Sequence, residues 1–198
     1  GGHMKERIKH LIILIILIGI DQGSKIWVKT SLMNHDPIVI IPNVLKLQYH
    51  QNSGAVWGIL SGRVDFLRIL TLMILAVIIF LYFKIPAAKK YNALKILAVF
   101  IVAGALGNLI DRFYLSYVVD FIYFEIIDFP LFNFADSCLT VSAILLFILA
   151  LFYYKDEDFA FLDQVLRGKK NDNTASDTKE DSEEASKENA EDASDKDI

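Results

Sequence analysis

The chain has a single cysteine, Cys138, and so cannot form an intramolecular disulfide. Lying inside an apolar segment, it reads as a small buried hydrophobe. Histidine is scarce as well, with four in all. No His, Cys or acid cluster has the spacing of a zinc site. No glycine-rich loop follows a strand pattern, which excludes a phosphate cradle of the P-loop type. Ser137 and Cys138 lack an evident base, so serine or cysteine nucleophile chemistry has little support. Ser24 precedes Lys25, but adjacent helical residues do not face each other, and a Ser-Lys pair is weakly supported too. Charge is absent in a pattern: no Lys, Arg or His occurs from Phe113 to Phe132, although four acids lie between Val118 and Ser137.

What is present is apolar surface, with 54% of residues hydrophobic. Four segments stay apolar over about the length that spans a bilayer, roughly 20 residues. They run from Ile8 to Val28, interrupted by Lys9, His10, Asp21 and Lys25; from Leu67 to Phe83, interrupted by Arg68; from Leu94 to Ile110, interrupted by Lys95; and from Ser137 to Tyr154. The expected fold is a membrane α-helical protein with four transmembrane helices at 8–28, 64–83, 94–112 and 133–154. A cleaved signal peptide is the alternative for the first segment, but no small-x-small cleavage pattern follows it. Residues 1–3, ahead of Met4, read as a tag remnant. Residues 155–170 are read as a basic cytoplasmic juxtamembrane segment from Lys155, Arg167, Lys169 and Lys170, although Asp156, Glu157, Asp158 and Asp163 balance those charges, and 171–198 as an acidic tail of net charge −8 beside +4 for the rest. With almost nothing apolar beyond alanine, the tail is expected to be disordered and carries no assigned chemistry.

Cations gather before the first helix, between the second and third, and after the fourth. The positive-inside rule then puts both termini and the 84–95 loop in the cytoplasm. Asp21 and Lys25 fall late in helix one, Asn108, Asp111 and Arg112 end helix three, and Asn133 and Asp136 open helix four. All are expected at one depth near the outer leaflet, where ionisable groups within a membrane mark function by default. In the loop after helix one, Leu45, Leu47 and Tyr49 alternate with Lys46, Gln48 and His50, the period of a half-exposed strand. A small extracytoplasmic β-sheet is expected there, able to take an extended peptide as an added strand. A further extracytoplasmic loop is expected between helices three and four.

Each polar group has a structural and a chemical reading. Asp21 and Lys25, four apart, pair on one helical face. Ala103 and Gly107 give a small-xxx-small packing face. Asn108 and Arg112 share a face and could offer donors to a peptide carbonyl, and Asp111 is a helix-end acid for Arg112 or Lys25. Asn133 fits an N-cap with Asp136 at N3, a variant capping box, and a helix N-terminus favours the charged form of an acid placed there. Asp120 has apolar neighbours, which raise a carboxyl pKa, as would a second carboxylate nearby. One protonated and one ionised acid form an aspartic-protease dyad. Sixteen residues separate the two, so their pairing is permitted rather than dictated.

Together "DQGSK" (21–25), "NSGAVWG" (52–58), "AGALGNLIDR" (103–112), "VVDF" (118–121) and "FNFADS" (132–137) resemble, in order and spacing, the bacterial lipoprotein signal peptidase family, signal peptidase II. The resemblance covers roughly Met4 to Tyr154. It implies a metal-independent aspartic endopeptidase of the bacterial cytoplasmic membrane, needing no cofactor. Such an enzyme removes signal peptides from prolipoproteins, cutting before a diacylglyceryl-modified cysteine. By motif, Asp120 and Asp136 take the catalytic positions. Asn52, Gly54, Asn108, Arg112 and Asn133 match residues that line or support the site, and Asp21 and Lys25 match the polar pair of helix one. The implied partners are lipidated prolipoprotein signal peptides, membrane lipid and the cyclic peptide antibiotic globomycin, with no nucleic acid. Ala103 stands where many members have glycine. Glu125 and Asp128 match no catalytic motif and read as solvent-facing loop acids. The rival readings are a proton-coupled transporter, for which buried acids would be relays, and a non-catalytic lipoprotein-binding factor.

Overall fold

The structure is a computed structural model that describes residues 2–54 and 60–162. The chain order is helix α1 (Gly2–Leu32), strands β1 (Ile38–Ile41) and β2 (Leu45–Asn52), helices α2 (Val64–Lys84) and α3 (Asn92–Leu115), strand β3 (Val118–Phe124) and helix α4 (Phe134–Phe152). All four helices are long and apolar enough to cross a membrane. The expected spans are recovered with shifted ends. α1 runs four residues past Val28 and starts within the segment set apart as a tag remnant, and α3 continues to Leu115 before Ser116 turns left-handed. The basic segment is described only in part, and the acidic tail lies outside the described residues.

α3 is the central element, packing against α1, α2 and α4. In its most apolar stretch 56% of residues are buried, against 22%, 11% and 17% in α1, α2 and α4. Those three therefore present apolar faces outward, as helices in lipid do. Small residues explain the position of α3. A Cβ on Gly104 would lie 2.5 Å from the Ala135 carbonyl oxygen and 2.8 Å from Leu139 Cγ, so α3 and α4 approach closely only because the side chain is absent. Ala103 is buried with Leu17 and Cys138, a position where a methyl group fits.

The sheet is antiparallel in the order β1-β2-β3. β2 is the expected strand, and Leu47 and Tyr49 turn inward onto Val28, Leu32, Val119 and Phe121. The segment between α3 and α4 was expected as a loop, but its first part is a strand, pairing Asn52 with Val118 and His50 with Asp120. It escapes the alternation test because Val118 to Phe121 are all buried, with no solvated face to carry polar residues. Glu125 and Asp128 are exposed, as expected of loop acids, in a 3₁₀ turn and at its end. Glu125 pairs with Lys46 at 2.9 Å.

Candidate active site

Polar side chains from α1, β2, α3, β3 and α4 meet at one end of the bundle. The deepest layer surrounds Lys25, which is 3% exposed and thus removed from water. Its ammonium has three protons and three acceptors: Asp21 Oδ2 at 2.9 Å, Asp111 Oδ2 at 3.2 Å and Asn108 Oδ1 at 3.0 Å. Two carboxylates against one cation leave an excess negative charge, which neutral donors disperse. The Ala135 N–H donates to Asp21 and the Val119 N–H to Asp111, each at 3.0 Å. Gln22 Nε2 lies 3.0 Å from Asp21, 3.1 Å from Asp111 and 3.1 Å from the Gly107 carbonyl. The expected Asp21 and Lys25 pair is therefore present but belongs to a triad. Asp111 takes Lys25 rather than Arg112.

Three asparagines form the next layer, and each amide has its orientation fixed by an opposing group. Asn108 Oδ1 faces Lys25, so its Nδ2 donates to Asp136 Oδ1 at 2.7 Å. Asn133 Oδ1 accepts from the Asp136 N–H at 3.0 Å, and its Nδ2 donates to Asp120 Oδ1 at 2.7 Å. Asn52 Oδ1 accepts from the Gly54 N–H, and its Nδ2 donates to Asp120 Oδ2, both at 2.9 Å. In each case one end of the amide is committed, and the other must be the donor a carboxylate requires.

Asp120 and Asp136 sit at the top of this scaffold. Asp120 is almost fully buried in β3, whereas Asp136 in the first turn of α4 is partly exposed. Asn133 touches both: its side chain binds Asp120, and its backbone N–H donates to Asp136 Oδ2 at 3.1 Å, completing the capping box. The local motif and the long-range pairing thus use one residue. Burial raises the Asp120 pKa to about 7, helped by the charge on Asp136 and opposed by the Asn52 and Asn133 amides.

Other expected site residues have internal partners. Arg112 donates to the Gly54 carbonyl at 3.1 Å and the Asn108 carbonyl at 3.4 Å, tying the exit of β2 to α3 with two of its five N–H groups. The Ser24 and Ser137 hydroxyls donate to the carbonyls of Asp21 and Asn133, so neither is poised as a nucleophile. Sequence reasoning missed Gln22 and Arg68. Gln22 precedes Lys25 by three residues, which was a usable signal. Arg68 donates to the Arg112 carbonyl and to Ser116 Oγ, closing the C-terminal end of α3. A lone arginine in an otherwise apolar span was its only mark.

Gly107 has a role that helix packing alone does not express. A Cβ there would lie 2.9 Å from the Asp21 carboxyl carbon and 3.2 Å from Ala135 Cβ. Asp21 is held from three directions and has little room to yield. Gly107→Ala should therefore destabilise the protein by about 1–3 kcal/mol, the usual cost of overpacking, as thermal unfolding in detergent would show. An unchanged melting temperature would mean that Asp21 is not pinned.

The fold and this centre define a class: a polytopic membrane protein with one buried and one partly exposed carboxylate wired by amides and backed by an ion triad. Comparison with known proteins narrows it. The family model for Signal peptidase (SPase) II matches residues 13–152, and the chain belongs to that family. A lipoprotein signal peptidase of Staphylococcus haemolyticus (strain JCSC1435) is 43% identical over 141 residues, 70% of this chain and 87% of that protein. One of Staphylococcus carnosus (strain TM300) is 42% identical over 144 residues, 72% and 89% of the two chains. A solved structure described as a bacterial membrane enzyme, at 2.3 Å by the in meso method, superposes with a TM-score of 0.64 at 36% identity, covering 83% of this chain and 93% of its own. The lipoprotein signal peptidase family processes the signal peptides of prolipoproteins, and the chain is a protease of that kind.

Proposed function

We propose that the chain is an intramembrane aspartic endopeptidase that cuts prolipoproteins immediately before a diacylglyceryl-modified cysteine, with Asp120 and Asp136 as its catalytic pair. The observation that carries this reading is the double contact of Asn133, which links the two carboxylates within one hydrogen-bonded unit. A water between the acids attacks the scissile carbonyl. Asp136, the more accessible and held by two N–H donors, removes the water's proton, while protonated Asp120 donates to the carbonyl oxygen. Collapse of the tetrahedral intermediate delivers a proton to the leaving amine. Asn52, Asn108 and Asn133 hold the acids, and Lys25, paired with Asp21, holds Asn108. Arg112 shapes the wall through Gly54.

The distribution of cations supports an orientation with both termini cytoplasmic. The sheet and the acid centre then face the outer leaflet, where the lipidated cysteine of an exported precursor resides. Globomycin would compete for the same centre.

The test is incubation of the purified protein with lipidated and unlipidated precursor, with products identified by mass spectrometry over a pH series. The expected product is a peptide ending before the lipidated cysteine, from the lipidated precursor alone. Because Asp120 must hold a proton and its pKa is about 7, kcat/KM should fall above that pH, approaching tenfold per unit. The sign for stability follows the same proton. The folded state holds it where the unfolded carboxyl, of pKa about 3.9, has released it, so stability declines as pH rises from about 4 to about 7. Cleavage at other sites, or a rate that rises through pH 7 to 8, would overturn the assignment.

A further inference from the structure

A crevice of about 270 Å³ opens between α1 and α3, on a side of the bundle that none of Asp120, Asp136, Asn52, Asn108 and Asn133 lines. Ile26 and Lys29 of α1 form one wall, and Ile110 and Tyr114 of α3 the other. Gln22, Lys25 and Asp111 reach its polar end, where they are already bonded to one another or to Asp21. The charge left for a ligand is Lys29. It is half-buried in the last turn of α1, and among the described residues no carboxylate lies within ion-pair distance of it; the Tyr117 ring centroid lies 6.0 Å from its Nζ. A half-buried lysine with no acid in reach leaves its ammonium free to take an anion.

The mouth indicates where that anion comes from. Ile26 is 62% and Tyr114 85% exposed, and both belong to helices of membrane-spanning length. The crevice therefore opens sideways, into the surrounding bilayer. One turn before Ile26 on the same helix, Gly23 leaves the α1 surface open, with nothing within 4 Å of the place a Cβ would occupy. A ligand entering from this side carries an acyl chain, and one that answers Lys29 carries a phosphate.

We propose that the α1/α3 crevice binds an anionic phospholipid, its phosphodiester on Lys29 and an acyl chain along Ile26 and Ile110. The occupant would rest against the reverse side of the Lys25 and Asp111 pair, linking annular lipid to the scaffold of the acid centre. A phosphodiester esterified to an uncharged alcohol, and so net negative, satisfies Lys29 better than a zwitterionic one, because choline brings a second cation beside the first. The experiment is native mass spectrometry of the full chain in detergent titrated with phosphatidylglycerol or phosphatidylcholine, with soluble glycerol phosphate as competitor. Phosphatidylglycerol should be retained in preference, and glycerol phosphate should not displace it. Lys29→Gln should weaken retention about fivefold, the worth of one lysine at a charged lipid surface, whereas Lys29→Arg should keep it. Lys46→Gln, beside Glu125, should leave it unchanged. Equal retention of the two lipids, displacement by glycerol phosphate, or a Lys29→Gln variant indistinguishable from the parent would overturn the proposal.

Discussion

Replacing either Asp120 or Asp136 by Asn is expected to lower the rate of precursor cleavage by roughly 10²–10⁴-fold or more, the scale on which general acid and base groups act. The changes are nearly isosteric but not silent. All four carboxylate oxygens accept from an N–H donor. An amide nitrogen at either position must therefore face another donor, at a cost of about 1–3 kcal/mol. Both variants should melt lower than the parent yet remain folded, so rates compared well below the melting temperature report chemistry. The double variant Asp120→Asn/Asp136→Asn should be hardly slower than either single one, because neither acid works without its partner. Additive losses in the double variant would mean that the acids act separately, and would sink the dyad.

The largest expected effect on stability lies one layer deeper. Lys25→Met keeps the length of the side chain and removes its charge, leaving Asp21 and Asp111 buried without a cation. Removing one partner from a buried ion pair costs about 3–5 kcal/mol, a large part of the total for most domains. Adding Asp21→Asn should recover part of the loss, since an amide at 21 can still accept from the Ala135 N–H. Chemical unfolding in micelles measures both steps. Activity should suffer too, for Asn108 would lose the cation that holds its oxygen inward and its nitrogen toward Asp136. A Lys25→Met variant as stable as the parent would show that the triad is not what holds these helices together.

How much of this was legible in the sequence depended on the range of each interaction. The four spans follow from local hydropathy, and the capping box of Asn133 and Asp136 from residues three apart; both are present. β3 was read as loop because its partner lies some 70 residues earlier in β2 and both its faces are covered. The link between Asp120 and Asp136 was hidden similarly. What joins them is a second hydrogen bond of a residue already explained as a cap. Arg112 shows the same dependence on range: its spacing from Asn108 was legible, whereas the Gly54 and Asn108 carbonyls that two of its five N–H groups reach are defined only by the fold.

The three locked asparagines bear on how such a site tolerates charge. In water, a carboxylate that gains or loses charge is met by solvent molecules that must first rotate, and that rotation is part of the barrier to moving its proton. Here the Asn52, Asn108 and Asn133 amides already point toward the carboxylates, each prevented from turning by a backbone N–H or by Lys25. The dipolar rearrangement that solvent would repeat in every turnover is completed once, when the chain folds.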